Sequence, residues 1–210
     1  MKRIILVRHG ETKWNVEEIF RGRADIELND VGVRQAELLA DYFTETRIEA
    51  VYSSPLQRAL KTAEIVAQRH NLEVKITSGL EDMDFGVWQG LSLSEVRDKF
   101  PVLFVQWQSQ PDRVKIPGAE SFAVIRQKSL AVVDEVIASY DGTVILVSHR
   151  VVNKILICAL LGLDDSPFWK IRQDNCGITT FTYHGDQFVL DEHNNTSCLQ
   201  SLRRDTLGDF

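Results

Sequence analysis

Two histidines in this chain each stand just beyond a short apolar run. His9, preceded by Arg8, follows residues 4–7 (Ile-Ile-Leu-Val), and His149, preceded by Ser148, follows residues 144–147 (Val-Ile-Leu-Val). Arg58 follows Ser54-Pro55-Leu56-Gln57, in the expected first turn of a helix. A guanidinium there can share an anion with the helix's free amides and dipole. Two arginines and two histidines around one point suit a phosphoryl group, whose oxygens guanidinium forks match in pairs. A lone histidine after a strand is ordinarily a hydrogen-bonded structural residue; it is the pair, together with Arg8, that points to chemistry. Glu81, Asp82 and Asp84 form an acidic stretch. Any one of them reads as a solvated turn residue, and with no histidine close by they do not make a metal site.

The elements that must carry these residues follow from periodicity. Apolar runs at 4–7, 50–52, 74–76 and 144–147 alternate with segments of helical period, the pattern of an α/β fold with a doubly wound, mostly parallel sheet. Runs 4–7 and 144–147 are unbroken, so helices should cover both faces of those central strands. Ligands of such sheets bind beyond the carboxyl ends of the strands, where His9 and His149 would meet. Helices are expected over 33–43, with Asn29 as a cap region, and from Ser54, with serine capping, proline at the first position and Gln57 completing a capping box. Two more are expected over 120–139 and 151–161, the latter stopped by Gly162. Strands at 179–183 and 188–190 should form a hairpin at the edge of the sheet. Residues 84–118 break the alternation: they hold Trp88, Phe100, Phe104, Trp107 and three of the five prolines, and read as a small lid insertion. One domain over 1–202 with a tail at 203–210 is the expected organisation.

With 210 residues, 44% of them hydrophobic and 26% charged, the chain can bury a substantial core. A net charge of −6 leaves no broad positive field for nucleic acid or an anionic membrane, so any bound anion must be held locally. Three cysteines without paired spacing read as reduced thiols of a cytoplasmic protein rather than as disulfides or a zinc site. No apolar stretch approaches the ~20 residues of a membrane helix. The C-terminal edge strand offers a surface on which two copies could pair as a homodimer.

The motif Arg8-His9-Gly10-Glu11-Thr12, followed by Trp14-Asn15, resembles the RHG signature of the histidine phosphatase superfamily, which includes the cofactor-dependent phosphoglycerate mutases. Other blocks of that family follow in order: Arg21-Gly22-Arg23-Ala24-Asp25, Tyr52-Ser53-Ser54-Pro55-Leu56-Gln57-Arg58-Ala59, Phe85-Gly86, Pro117-Gly118-Ala119-Glu120-Ser121 and Val147-Ser148-His149. The resemblance spans roughly residues 2–200. It implies a phosphoglycerate mutase-like fold with no metal or other cofactor. His9 would carry a phosphohistidine intermediate, with Arg8, Arg58 and His149 neutralising the phosphoryl oxygens. Asn15 and the amides around Gly10 and Arg150 would complete the cradle, and the backbone at Arg21-Gly22 would border the substrate. The family places a glutamate acid four residues before the glycine that is here Gly86. Asp82 occupies that position, one methylene shorter, and is the expected acid, with Glu81 in reserve. Arg150 stands where many members carry glycine; it either reads a substrate carboxylate at the pocket mouth or points to solvent.

Three activities fit such a site. The mutases of the family are longer, grip their substrate with a paired arginine in an insert, and have tyrosine where this chain has Phe85. The segment between Gly90 and Pro117 is short and lacks an Arg-Arg pair. Hydrolysis of a small phosphorylated metabolite is therefore expected over mutase activity, and a binding module without turnover ranks third because both His9 and an acid are present. The aromatic lid is similar to those of the α-ribazole phosphatase and metal-independent phosphoserine phosphatase groups.

Overall fold

In the computed structural model, which describes residues 1–202, six strands form one sheet in the order β3-β2-β4-β1-β5-β6. The strands are β1 (Lys2–Arg8), β2 (Ile48–Ser53), β3 (Val74–Ile76), β4 (Thr143–Ser148), β5 (Ile178–Tyr183) and β6 (Phe188–Asn195). The first four run parallel to one another, while β5 and β6 are antiparallel and close one edge, as the terminal hairpin predicts. Strand β1 pairs with β4 in register, Ile4 opposite Val144 through Arg8 opposite Ser148. Alternation along these unbroken runs divides the core. Ile4, Leu6, Val144 and Leu146 face one side; Ile5, Val7, Ile145 and Val147 face the other. Each fully buried Leu, Ile or Val contributes about 1.5–3 kcal/mol of transfer free energy, so both faces must be covered.

The described residues form seven α-helices: α1 (Lys13–Val16), α2 (Asp30–Tyr42), α3 (Gln57–Gln68), α4 (Leu93–Lys99), α5 (Pro101–Ser109), α6 (Phe122–Ser139) and α7 (Arg150–Leu160). Helices α2 and α3 bury Leu39, Ala40, Ala59, Ala63 and Val66 on the Ile5 face. Helices α6 and α7 bury Phe122, Ile125, Val133, Val152 and Ile155 on the Ile4 face. Asn29 caps α2 by accepting from the Gly32 amide, and Gly162 follows α7 with φ of +68°, a conformation that suits glycine. No helix among the described residues is long and apolar enough to cross a membrane. The expected tail at 203–210 lies outside the described residues.

One detail departs from expectation. Helix α3 begins at Gln57, three residues after Ser54, and Ser54 does not cap it: Leu56 holds the cap position without a side-chain hydrogen bond. Asp25 takes over instead, its Oδ1 accepting from the Gln57 amide at 2.7 Å and its Oδ2 from Gln57 Nε2 at 2.9 Å. The Ser54 hydroxyl instead accepts from the Leu56 amide at 3.3 Å, ahead of the helix, and lies 2.8 Å from His149 Nε2. The segment 84–118, expected as a small lid insertion, is anchored in the core. Its Trp88, Phe104 and Trp107 are buried in the Ile4-face cluster against Phe20, Phe122 and Phe168. Helix α5 carries Phe104 and Trp107 inward, and a short 3-10 turn at Gly86–Trp88 does the same for Trp88.

Candidate active site

The carboxyl ends of β2, β4 and β1 lie side by side, and the chain leaves each of them into a residue of the site. Ser54 follows β2, His149 follows β4, and Arg8-His9 ends β1, with backbone bonds from Ser54 to Val147 (3.1 Å) and from His9 to Ser148 (3.0 Å) holding the three exits together. His9 and His149 are both buried, with ring centroids 5.2 Å apart. Arg58, in the first turn of α3, is fully buried and close enough for its charge to act on both rings.

The His9 ring is oriented by its own backbone neighbour. Its Nδ1 lies 2.6 Å from the Gly10 carbonyl, which can only accept, so Nδ1 carries the proton and Nε2 keeps its lone pair. Burial, then the charges of Arg58, Arg8 and Arg21, hold the His9 pKa well below the ordinary imidazole value. The same causes, burial first and Arg58 next, depress His149. Both rings are therefore neutral at neutral pH.

The cations are fixed chiefly by carbonyl oxygens. Arg8 Nη1 donates to the Gln173 carbonyl (2.6 Å), Arg58 Nη1 and Nη2 to Ala24 and Gly22 (both 2.8 Å), and Arg21 Nη1 to Trp14 (3.1 Å). Burial, followed by Arg8 and Arg150, lowers the Arg21 pKa well below its usual value, a sign of how closely the positive groups crowd. Asp82 is the buried carboxylate among them. Its Oδ2 accepts from Arg58 Nη2 at 3.0 Å and lies 3.7 Å from His149 Nδ1, while its Oδ1 accepts from the Met83 amide.

A cavity of about 370 Å³ opens over this group, lined on its polar side by Arg8, Asn15, Arg21, Asp82 and Arg150. Its apolar wall includes Phe20, Phe85, Trp107 and Trp169. Asp82 is part of the lining and Glu81 is not; Glu81 pairs with Arg23 at 3.5 Å. Arg150 takes the pocket side of its two alternatives, its guanidinium 5.9 Å from the centre of the Trp169 ring. Arg113 is exposed and sits beside Asp112.

Two expected contacts are displaced. The Gly10 amide is not free for an anion, because it donates to Thr62 Oγ1 at 3.1 Å. Glycine is needed there for close approach: a Cβ would lie 2.5 Å from the Gly32 carbonyl oxygen. Gly22 does not border the cavity either; its carbonyl holds Arg58, and its φ of +51° turns the loop to present it. Asn15 lines the cavity, with its Oδ1 accepting from the Thr12 amide and hydroxyl.

The loop Gln173-Asp174-Asn175-Cys176 carries contributions that motif and periodicity did not reveal. Besides the Gln173 bond to Arg8, Asn175 Nδ2 donates to the His9 carbonyl (2.9 Å) and the Cys176 amide to the Arg8 carbonyl (2.9 Å). In sequence it reads only as a polar turn before β5. Thr62, four residues after Arg58 in the sequence block around it, was the more accessible signal.

A sequence profile described as the histidine phosphatase superfamily, branch 1, matches residues 4–196. Phosphoserine phosphatase 1 of Hydrogenobacter thermophilus is 38% identical over 180 residues, 85% of each chain. Probable phosphoglycerate mutase GpmB of Salmonella choleraesuis is 30% identical over 193 residues, 90% of this chain and 88% of that one. Among solved structures, a phosphoserine phosphatase variant from Entamoeba histolytica in complex with phosphoserine superposes with a TM-score of 0.85 at 31% identity. It covers 95% of this chain and 100% of that one. Bacillus stearothermophilus YhfR reaches a TM-score of 0.90 at 28% identity, over 95% and 100% of the two chains. With the profile spanning nearly the whole described chain and close relatives matched along most of their length, the chain belongs to the histidine phosphatase superfamily and is a phosphoric monoester hydrolase.

Proposed function

We propose that the chain hydrolyses a small-molecule phosphomonoester without a metal ion, through a phosphohistidine on His9. One observation carries this reading: a neutral imidazole whose Nδ1 proton is committed to the Gly10 carbonyl, leaving a lone pair at Nε2 amid the charges of Arg8, Arg21 and Arg58. Nε2 attacks phosphorus in line, the P–O bond to the leaving group breaks, and the departing alkoxide takes a proton from Asp82. In the second half-reaction water attacks phosphorus, its proton passes to Asp82, the P–N bond breaks and inorganic phosphate leaves. The guanidiniums of Arg8 and Arg58 and the His149 ring stabilise the equatorial oxygens in both steps, the task that metal ions perform in many phosphoryl transferases.

Arg150 extends the reading to substrate class. Its guanidinium faces the cavity beyond the phosphoryl position and suits a carboxylate on the leaving group. Phosphoserine, the substrate in the names of two relatives, has that group and is the first compound to test. The segment between Gly90 and Pro117 is filled by α4 and α5 and carries no paired arginine, which favours water over a second phosphorylated acceptor. The experiment is phosphate release in EDTA from phosphoserine, 3-phosphoglycerate and α-ribazole phosphate. Wild type should turn over at least one of them, and His9→Ala should lose nearly all release and all acid-labile phosphate on the protein. Turnover that needs added metal, or that survives His9→Ala, would refute the reading.

A further inference from the structure

Ser54 is fully buried at the exit of β2, and its hydroxyl does not cap α3. Its Oγ accepts from the Leu56 amide at 3.3 Å and lies 2.8 Å from His149 Nε2. The opposite ring nitrogen, Nδ1, is buried with no hydrogen-bond partner and sits 3.7 Å from Asp82 Oδ2.

The neutral His149 ring has two tautomers. If Nε2 held the proton and donated to Ser54, the Nδ1 lone pair would face Asp82 Oδ2, the oxygen that already accepts from Arg58, and, when substrate is bound, the phosphoryl oxygens. That sets acceptor against acceptor in a site with little water to relieve it. If the Ser54 hydroxyl donates to Nε2 instead, its oxygen still accepts from Leu56, and Nδ1 carries a proton directed at the acceptors. The nitrogen of the ring left unsatisfied is then an N–H donor in a phosphate site, an orphan that substrate would satisfy.

We propose that Ser54 is a positioning residue that fixes His149 as the Nδ1–H tautomer, so that the site offers a neutral N–H donor to the phosphoryl group opposite the His9 lone pair. The two imidazoles thus carry their protons on the same nitrogen and turn opposite nitrogens to the reaction. Gly10 sets His9 by accepting from Nδ1, and Ser54 sets His149 by donating to Nε2. The purpose of the donor rests on the phosphohistidine reading; the tautomer does not.

The test is the nitrogen NMR spectrum of the histidine rings in protein labelled with 15N-histidine, alongside steady-state kinetics. Wild-type His149 should show a protonated Nδ1 and an unprotonated, hydrogen-bonded Nε2. In Ser54→Ala the single tautomer should be lost and kcat should fall by about 10- to 100-fold with a smaller change in KM, less than the 10²–10³ of deleting an oxyanion donor outright. Ser54→Thr, which restores the hydroxyl, should recover both the spectrum and most of kcat. A wild-type ring protonated at Nε2, or Ser54→Ala with wild-type kcat, would overturn the proposal. Should Ser54→Ala not fold, the wild-type spectrum decides alone. Failure of the enzymatic reading would show as absent phosphate release by wild type and would leave the ring spectrum intact.

Discussion

Replacing Asp82 with asparagine separates its role as proton donor from its role as partner of Arg58. Asparagine keeps the shape and one carbonyl oxygen, which can still accept from Arg58 Nη2, now at 3.0 Å from Oδ2, while its NH2 takes the place of Oδ1 and gives up the bond from the Met83 amide. What it removes is the transferable proton. General-acid help is worth about 10²–10⁴, or about 3–5 kcal/mol of barrier, but only where the leaving group needs a proton. Phosphoserine releases an alkoxide, so its kcat/KM should fall by about 10²–10⁴ in Asp82→Asn. The phenolate of p-nitrophenyl phosphate leaves without one, so its first half-reaction should be nearly unchanged. The second half-reaction still loses its base. Stopped-flow mixing with p-nitrophenyl phosphate should therefore give a burst of one phenolate per site, followed by slow turnover with phosphate held on His9. Glu81→Gln should leave both substrates within a few-fold of wild type, because Glu81 pairs with Arg23 outside the cavity lining. Equal losses for the two substrates in Asp82→Asn, or the leaving-group dependence appearing in Glu81→Gln, would refute the assignment.

Trp169 anchors its indole by donating from Nε1 to the Trp107 carbonyl at 2.6 Å and lies beside the Arg150 guanidinium. Trp169→Leu should raise KM for phosphoserine by about 2- to 30-fold, the range of a partly desolvated cation–π contact, with less effect on p-nitrophenyl phosphate; equal effects would mean that Arg150 does not read the leaving group. A second expectation concerns pH. Both active-site imidazoles are held well below their ordinary pKa, so below about pH 6.5 the unfolded chain binds up to two more protons than the folded one. Stability present above that pH should then be lost as pH falls, with a slope from these rings approaching about 2.7 kcal/mol per unit; denaturant unfolding from pH 7.5 to 5 measures it, and a flat profile would mean that the rings protonate in the fold.

The legibility of fold and site differed for physical reasons. Strands β1 and β4 are readable because burial on both faces requires unbroken apolar runs, and the rule that ligands sit at strand carboxyl ends brings His9 and His149 together from sequence alone. Arg58 was readable for a partly mistaken reason. Its place near a helix start was right, but the capping box assigned to Ser54 and Gln57 was not, because a serine hydroxyl that suits a cap equally suits a histidine 95 residues away. Sequence pattern reports local partners and is silent on distant ones. The loop at 173–176 escaped for the same reason: its bonds to Arg8 and His9 span about 166 residues, and in two of the three the loop contributes a backbone atom, which leaves no residue-type signature. Gly10 was recognised as part of the site but given an anion-binding role. Its need is steric, and the atom that imposes it, the Gly32 carbonyl, comes from α2.

How a chain of net charge −6 concentrates enough positive charge to hold a phosphoryl dianion follows from the partners its arginines keep. Pairing each one with a carboxylate would orient it but cancel its field. Backbone carbonyls orient a guanidinium through the same N–H geometry while carrying only a partial charge. Arg8, Arg21 and Arg58 are each held by at least one such carbonyl, from the Gln173 loop, from the segment around α1 and from the loop at Gly22 and Ala24. The carboxylate held against them, Asp82, is the one proposed above as the acid. That division has a cost in stability, since buried like charges repel and lower one another's pKa, and the substrate relieves it on binding. A fold arranged in this way is preorganised for the transition state: the charges are in place before phosphorus is attacked, and little reorganisation remains to be done in the step itself.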